Sequence, residues 1–342
     1  MTELATLSDL PVAYVDALTA ADLTPLWPQM RNLLPHGAPQ PITKSHHWKF
    51  EAIRPLLLQA GDLTPVEKAE RRVLVLSDTG RGNGAMQATS TIYCGMQLLL
   101  PGETAPAHRH TPSAARIIVE GSGGYTVVNG EKCPMRHGDI VLTPGGCWHD
   151  HGNEGNAPVI WLDALDLPLF VYLEASYAEE APLQAPKNRP DASMAEYFAA
   201  GLAPSRSHAA AAPRYPMLRF PWERTQAALD ALRAVQGPGE IAELDYINPE
   251  TGESCLPTLG FTAMALTGGA ITPVRRSASS MFHVISGSGR STVNGNEVVW
   301  QQGDSFSAPV FASITHEADG SAYLIRIHDR PLQEKLGFYE ER

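Results

Sequence analysis

The chain has 342 residues, 43% of them hydrophobic and 18% charged, a globular composition rather than a disordered one. That length admits about two or three domains, and the formal net charge of −11 argues against general nucleic-acid binding, which needs a basic surface. Cys94, Cys133, Cys147 and Cys255 are widely spaced without a C-x-x-C, the N-terminus lacks a signal-peptide pattern, and no apolar run is long enough to span a bilayer; together these point to a soluble cytoplasmic protein.

In chain order, Leu23, Leu26, Met30 and Leu33 recur at helical spacing before a stop at Pro35 and Gly37. A second helix is predicted over 48–59, entered or bent at Pro55. Thr64-Pro65-Val66-Glu67 has the form of a capping box with proline first in the helix. The adjacent His46 and His47 diverge in either a strand or a helix, so they read as surface or core residues. Strands are predicted over 73–76, 91–100, 116–119, 125–128, 140–142 and 159–165, with Asn129-Gly130 as a hairpin turn. Short strands with Gly and Pro punctuation indicate a barrel or sandwich. Residues 176–254 form a proline-rich connector with a helix over 222–235, expected to pack between two barrels.

The last part is an internal repeat. Gly287-Ser-Gly289 echoes Gly121-Ser-Gly123, Val293-Asn-Gly295 echoes Val128-Asn-Gly130, and Gly303-Asp304 with Pro309 echoes Gly138-Asp139 with Pro144. The expected division is 1–85, a helical segment with lead-in strands; 86–175, a metal-binding barrel; 176–254, the connector; and 255–342, a degenerate second barrel.

Chemistry concentrates between Gly102 and Asn153. Side chains alternate along a strand, so His108 and His110 share one face and Arg109 takes the other. Two imidazoles on one face need a reason, and His149 is the candidate for a third. The runs Gly102-x5-His108-x-His110, Gly121 and Gly138-x5-Pro144-x-Gly146-x2-His149-x3-Asn153 resemble the two cupin motifs, except that the glutamate slot of the first holds Ala114. The resemblance implies jelly-roll barrels in a mainly β bicupin. In the second copy Val274, Arg276 and Ile314 fall in the ligand slots, and His283 and His316 fall outside them, so that barrel reads as structural.

Three neutral imidazoles suit zinc, copper, iron or nickel. Three protein ligands on an octahedral ion leave three positions open, as in non-haem Fe(II) oxygenases. With Ala114 in the glutamate slot no protein anion offsets the metal charge, which favours a dianionic chelator such as an ortho-hydroxybenzoate. Arg72 and Arg116 each open an apolar strand; facing inward, either could clamp a carboxylate, and otherwise it makes a rim salt bridge. His151 shares the metal-facing side with His149 and suits general acid/base work. Gln97 and Asp163 sit within strands, where buried polar groups need partners.

The segments Glu70-Arg-Arg-Val-Leu-Val-Leu76, Leu100 to His110, Val119-Glu-Gly121 and Trp148 to Asn153 resemble the gentisate 1,2-dioxygenase family, whose near relatives act on salicylate and 1-hydroxy-2-naphthoate. The resemblance implies Fe(II) on His108, His110 and His149, and dioxygen as co-substrate. It implies gentisate bound by its carboxylate and adjacent hydroxyl, with cleavage between the carbons bearing them to give maleylpyruvate. It further implies substrate contacts at Arg72, Gln97, Arg116, His151 and Asp163, with His151 and Asp163 catalytic, in a homotetramer. Tyr93 and Leu74, near the expected pocket, bear on ring preference. The alternatives are a salicylate or hydroxynaphthoate dioxygenase, a zinc or manganese cupin isomerase or hydrolase, and a non-catalytic binding bicupin.

Overall fold

The computed structural model describes residues 4–181, 189–205, 214–237, 240–268 and 275–342. The chain divides into residues 1–41 and 42–342. In the first unit Val12–Ala20 is a helix that the spacing of leucines does not reveal. The stretch expected to be helical over 23–33 is instead a 3-10 turn, Trp27–Gln29, running into a short helix, Met30–Leu33.

The larger unit holds two β-barrels, each made of two sheets. The first barrel has a six-stranded sheet ordered Arg219–Phe220, Ile140–Thr143, Ala114–Glu120, Val159–Leu165, Tyr93–Leu99, Val73–Val75. Facing it is a five-stranded sheet ordered Ala178–Glu180, Thr104–His110, His149–Asn153, Gly124–Val128, Glu131–Pro134. The second barrel repeats the plan. Its larger sheet runs His47–Trp48, Ser305–Ala308, Ser280–Ser286, Ser321–His328, Gly260–Thr267, Ala242–Asp245, and its smaller one Asn296–Gln301, Ser288–Val293, Ile314–Ala318. The Asn-Gly turns are equivalent: Asn129 and Gly130 have φ of 46° and 89°, Asn294 and Gly295 of 51° and 83°. Two successive positive φ values are what a two-residue hairpin loop requires.

Trp48 is not in the second helix, and with His47 it forms a short strand. They pair with Phe306 and Ser305 of the second barrel, and the helix starts at Phe50 and runs to Leu63 with Pro55 inside it. Asp304 explains the boundary. Its carboxylate lies 2.9 Å from His47 Nε2 and accepts the Phe50 N–H at 2.8 Å, holding the chain extended until the helix begins.

Alternation sorts each large sheet into two faces. One face of the first sheet (Cys94, Met96, Leu98, Ile117, Leu162) packs in a single core with one face of the second (Phe261, Ala263, Met281, Ile325, Ile327), joined by Leu218, Phe220, Trp222 and Leu229 of the connector. The opposite parity of the first sheet looks into its own barrel. It runs from apolar at one end (Leu99, Ile118, Val159, Trp161) to polar at the other (Gln97, Arg116, Asp163).

Two aspartates latch the barrels reciprocally. Asp166, just after Val159–Leu165, accepts the Ser113 N–H at 2.8 Å and the hydroxyl of Thr258, at the approach to the second barrel. Asp329, just after Ser321–His328, accepts the Ser279 N–H at 2.8 Å and the hydroxyl of Thr91, at the approach to the first, at 2.6 Å. Burial pushes the Asp166 carboxyl from 3.8 up to about 6. Its native state therefore binds the proton more tightly than the unfolded chain. This group's contribution is fully present below the unfolded value and is lost as pH rises through about 6. Asp166→Asn keeps an acceptor for Ser113 and is expected to remove that loss, on the order of 2 kcal/mol. Urea unfolding of both proteins between pH 4 and about 6 checks it; equal pH slopes would refute the assignment.

Candidate active site

His108 and His110 lie on Thr104–His110, and the neighbouring strand His149–Asn153 places His149 directly opposite His108. The rings close into a triangle, with centroids 5.3 Å apart for His108–His110, 4.2 Å for His108–His149 and 4.8 Å for His110–His149. One donor atom from each lies within 4.8 Å of the others, a spacing that one metal ion can bridge. Arg109 takes the far face, pairing with Glu179 at 2.7 Å.

Main-chain carbonyls orient the rings. His110 Nδ1 donates to Pro112 at 2.7 Å and His149 Nδ1 to Cys147 at 2.9 Å, while His108 bonds the Pro106 carbonyl. A carbonyl only accepts, so in His110 and His149 Nδ1 carries the proton and Nε2 is left as a lone-pair donor, whereas His108 Nδ1 lies against a guanidinium nitrogen of Arg71. His149 Nε2 is buried with no partner among the described residues. An orphaned buried imidazole nitrogen aimed at two others is the signature of a ligand set, and the residues present fit a metal. Burial, reinforced by Arg71 and Arg116, pushes His108 down to about 3 and His110 to about 4, and it takes His149 well below its ordinary value. All three are therefore neutral, as ligands must be. The glutamate slot, Ala114, is buried and supplies no charge.

Beside the triad stands a buried polar group. Arg116 and Asp163 are cross-strand partners, with Nε 3.4 Å from Oδ1. Arg116 also donates to Thr143 Oγ1, and the Trp161 indole N–H donates to Asp163 Oδ1 at 3.0 Å. Burial pushes Asp163 up to about 6, against the opposing pull of Arg116. His151 is fully buried, its Nδ1 is 2.9 Å from the Thr126 hydroxyl, and its Nε2 has no partner among the described residues. Its ring lies 5.7 Å from that of His149. Gln97 is buried on the strand beside Asp163, opposite Trp161. Tyr93 is held protonated by burial and by the nearby Asp163 charge.

Two expectations change. Arg72 is not brought to the site: its guanidinium pairs with Glu103 and faces the Gly61 and Thr64 carbonyls under the helix Phe50–Leu63. Arg71 is there instead, its Nη2 donating to the Pro106 carbonyl at 2.8 Å and lying against His108 Nδ1. Arg71 and Arg72 lie between a short helix, Val66–Ala69, that ends at Glu70 (φ 53°) and the strand that begins at Val73, so no regular period covers them in the sequence. Leu74 packs against the core between the barrels, not in the pocket. Thr126, Thr143 and Trp161 orient His151, Arg116 and Asp163; strand register identifies the two threonines, and Trp161 shares a face with Asp163 two residues along the same strand.

A further cavity lies elsewhere. About 730 Å³ of apolar space under the connector, lined by Tyr197, Phe198, Leu202, Phe220 and Tyr246, contains none of the histidines. In the second barrel Ile314 and Arg276 stand at ligand-slot positions, and Val274 lies outside the described residues.

The cupin-domain family model matches residues 95–165, the stretch that carries the triad. A gentisate 1,2-dioxygenase of Ralstonia sp is 46% identical over 99% of this chain and 96% of its own length. A 5-aminosalicylate 1,2-dioxygenase of Comamonas sp is 35% identical over 98% and 90% respectively. The crystal structure of a salicylate 1,2-dioxygenase from Pseudoaminobacter salicylatoxidans, in adducts with gentisate, superposes with a TM-score of 0.91, covering 100% of this chain and 95% of that one at 31% identity. Similarity of that extent, over a triad built to hold a metal, is shared descent and shared chemistry: this chain belongs to the gentisate 1,2-dioxygenase family of cupin ring-cleaving dioxygenases.

Proposed function

We propose that the enzyme opens gentisate (2,5-dihydroxybenzoate) between its carboxyl- and hydroxyl-bearing ring carbons, using Fe(II) and dioxygen, to give maleylpyruvate. The observation that carries this is the triad of His108, His110 and His149 beside two guanidiniums, Arg116 and Arg71. Both oxygen atoms enter the product, so the reaction needs no external reductant. Fe(II) on the three imidazoles would supply the ability to bind dioxygen and a chelating aromatic together and to pass electron density between them.

The protein's own groups do the rest. Arg116 and Arg71 bind the substrate carboxylate, and their charge selects an anion. Thr143 and Asp163 fix the Arg116 guanidinium, and Trp161 fixes Asp163. Thr126 pins the His151 ring so that Nε2 faces the reacting groups, where it holds or moves the proton of the ring hydroxyl. Gln97 adds a neutral amide for an oxygen, and Tyr93 borders the ring. Burial of His149, His151, Arg116 and Asp163 keeps bulk water from competing.

In this reading the barrel over 86–175 is catalytic, 255–342 is its degenerate copy, and 1–85 and 176–254 support them. The enzyme works as a homotetramer in the cytoplasm. Among the described residues no helix is long and apolar enough to cross a membrane.

The assignment of Arg71 over Arg72 has a direct test. Arg71→Met is expected to raise KM for gentisate about tenfold or more through loss of a charged contact. Arg72→Met leaves KM within about twofold and lowers the thermal midpoint, since it strands Glu103. Steady-state kinetics and thermal melts decide, and the reverse pattern restores Arg72 to the site. The function itself is tested by oxygen uptake of protein loaded anaerobically with Fe(II), against gentisate, salicylate, 5-aminosalicylate and 1-hydroxy-2-naphthoate. Stoichiometric uptake with gentisate is expected. No uptake with any of the four removes the proposal, and full zinc occupancy with turnover indifferent to iron replaces it with Lewis-acid chemistry.

A further inference from the structure

The ligand strand Thr104–His110 has a neighbour on its outer side. Ala178–Glu180 pairs with it as a strap, Ala178 opposite His110, Glu179 opposite Arg109 and Glu180 opposite His108. Directly opposed residues of antiparallel strands share a face. The Arg109–Glu179 contact at 2.7 Å identifies the faces. Those two point away from the triad, so Ala178 and Glu180 stand on the side of His108 and His110.

The second barrel has the same strap. Asp166 and Asp329 each precede a helix, Leu167–Tyr172 and Arg330–Leu336, and a segment beyond each helix returns to its barrel. Ser277 donates to the Glu340 carbonyl at 2.8 Å as Thr111 donates to that of Tyr177 at 3.1 Å. Glu341 stands opposite Arg276 as Ala178 stands opposite His110. Glu341 closes onto its partner, accepting the Arg276 Nε–H at 3.2 Å. Ala178 has no polar group with which to close onto His110.

This flank suits the passage of a metal ion. His149 is wholly buried, whereas His108 and His110 are half-buried, so the triad meets solvent on the side of their strand. The permanent charges that bear most on the three rings are Arg116 and Arg71, and both repel a cation. Glu180 is exposed, and its carboxylate makes no ion pair or hydrogen bond among the described residues. It is therefore a free negative charge at the outer edge of a site whose nearest charges are positive.

We propose that Glu180 is the entry carboxylate of the metal centre: it draws a divalent cation to the flank of His108 and offsets the two guanidiniums while the ion passes to the three imidazoles. The inference rests on the reading of the triad as a metal site. Glu180 acts on the ion in transit and is not a ligand of the seated one, since its oxygens lie outside the donor set that the three rings form. A charge that acts on passage changes the rates of entry and loss together and leaves the equilibrium nearly unmoved.

Metal-free protein of the full chain, mixed with Fe(II) without oxygen and quenched at intervals with a chelator, gives iron bound per chain against time. Glu180→Gln is expected to take up iron about fivefold more slowly at low ionic strength, as one unit charge acting on a divalent ion through water allows. The difference shrinks below about twofold in ~0.5 M salt. Loss of iron into excess chelator slows by a similar factor, and equilibrium affinity stays within about twofold. Glu179→Gln removes the same charge one residue away on the opposite face, and its uptake is expected to match that of the unsubstituted protein. Equal slowing in both variants would assign the effect to overall charge and overturn the proposal. So would unchanged uptake in Glu180→Gln, or a fall in its equilibrium affinity, which would make Glu180 a ligand or a structural support. His149→Ala separates the two readings. If it takes up iron as fast and as fully as the unsubstituted protein, the triad is not the metal site and both fail. If it takes up none while Glu180→Gln loads at the unsubstituted rate, the triad stands and only the entry role falls.

Discussion

Replacing His149 with alanine is expected to empty the metal centre and to lower kcat by roughly three orders of magnitude or more. His149 is the one ligand candidate that comes from a different strand. His108 and His110, two residues apart, offer only two donors from one side, and His149 closes the triangle from 4.2 and 4.8 Å. Without it, no other group among the described residues is placed to complete the set: His151 is tied to Thr126, and Ala114 has no donor. His149 is wholly buried, so its removal also leaves a cavity, and a melt must show that the variant folds. His110→Ala, at a partly exposed position, is expected to give the same loss with a smaller structural penalty. Iron per chain by elemental analysis, beside turnover, is the measurement. A variant that folds and keeps a full iron complement would break the ligand assignment.

The histidines were legible because their positions follow from local rules. Strand alternation puts His108 and His110 on one face, and a turn built on Gly138, Pro144 and Gly146 delivers His149 at a fixed distance down the chain. The hairpin turns at Asn129-Gly130 and Asn294-Gly295 were legible for the same reason, since few residues tolerate the backbone they need. What the sequence hid depends on long-range pairing or on a local break in parity. His47 and Trp48 pair with residues more than 250 positions away, so nothing nearby marks them as a strand. Arg71 and Arg72 sit in the short link between the helix Val66–Ala69 and the strand Val73–Val75, so no periodicity covers them to say which faces the triad. Thr126 matters as the cross-strand neighbour of His151, and register is a property of the folded sheet.

Arg116→Met is expected to separate substrate binding from metal binding. Arg116 is interior and nearly unexposed, with one donor on Thr143 and its charge balanced by Asp163 at 3.4 Å. Because it sits across the sheet from Asp163 and makes no bond to the three ligand rings, its loss is not expected to change iron content. Loss of a desolvated cation facing a carboxylate is expected to raise KM for gentisate roughly 100-fold. A second consequence follows from the sign of the interaction. Burial already pushes Asp163 up to about 6, and Arg116 is the principal force holding it down. Without that guanidinium the carboxyl rises further and stays protonated to higher pH, so a pH profile limited by Asp163 ionisation moves to the alkaline side. Arg116→Lys restores a charge near Asp163, and with it much of the pH profile. It cannot restore the planar two-donor grip on a carboxylate, so KM remains high. Iron content, KM and the pH profile measured on the Met and Lys variants separate these effects. Iron loss equal to that of His149→Ala would make Arg116 a structural support of the metal centre rather than a substrate contact.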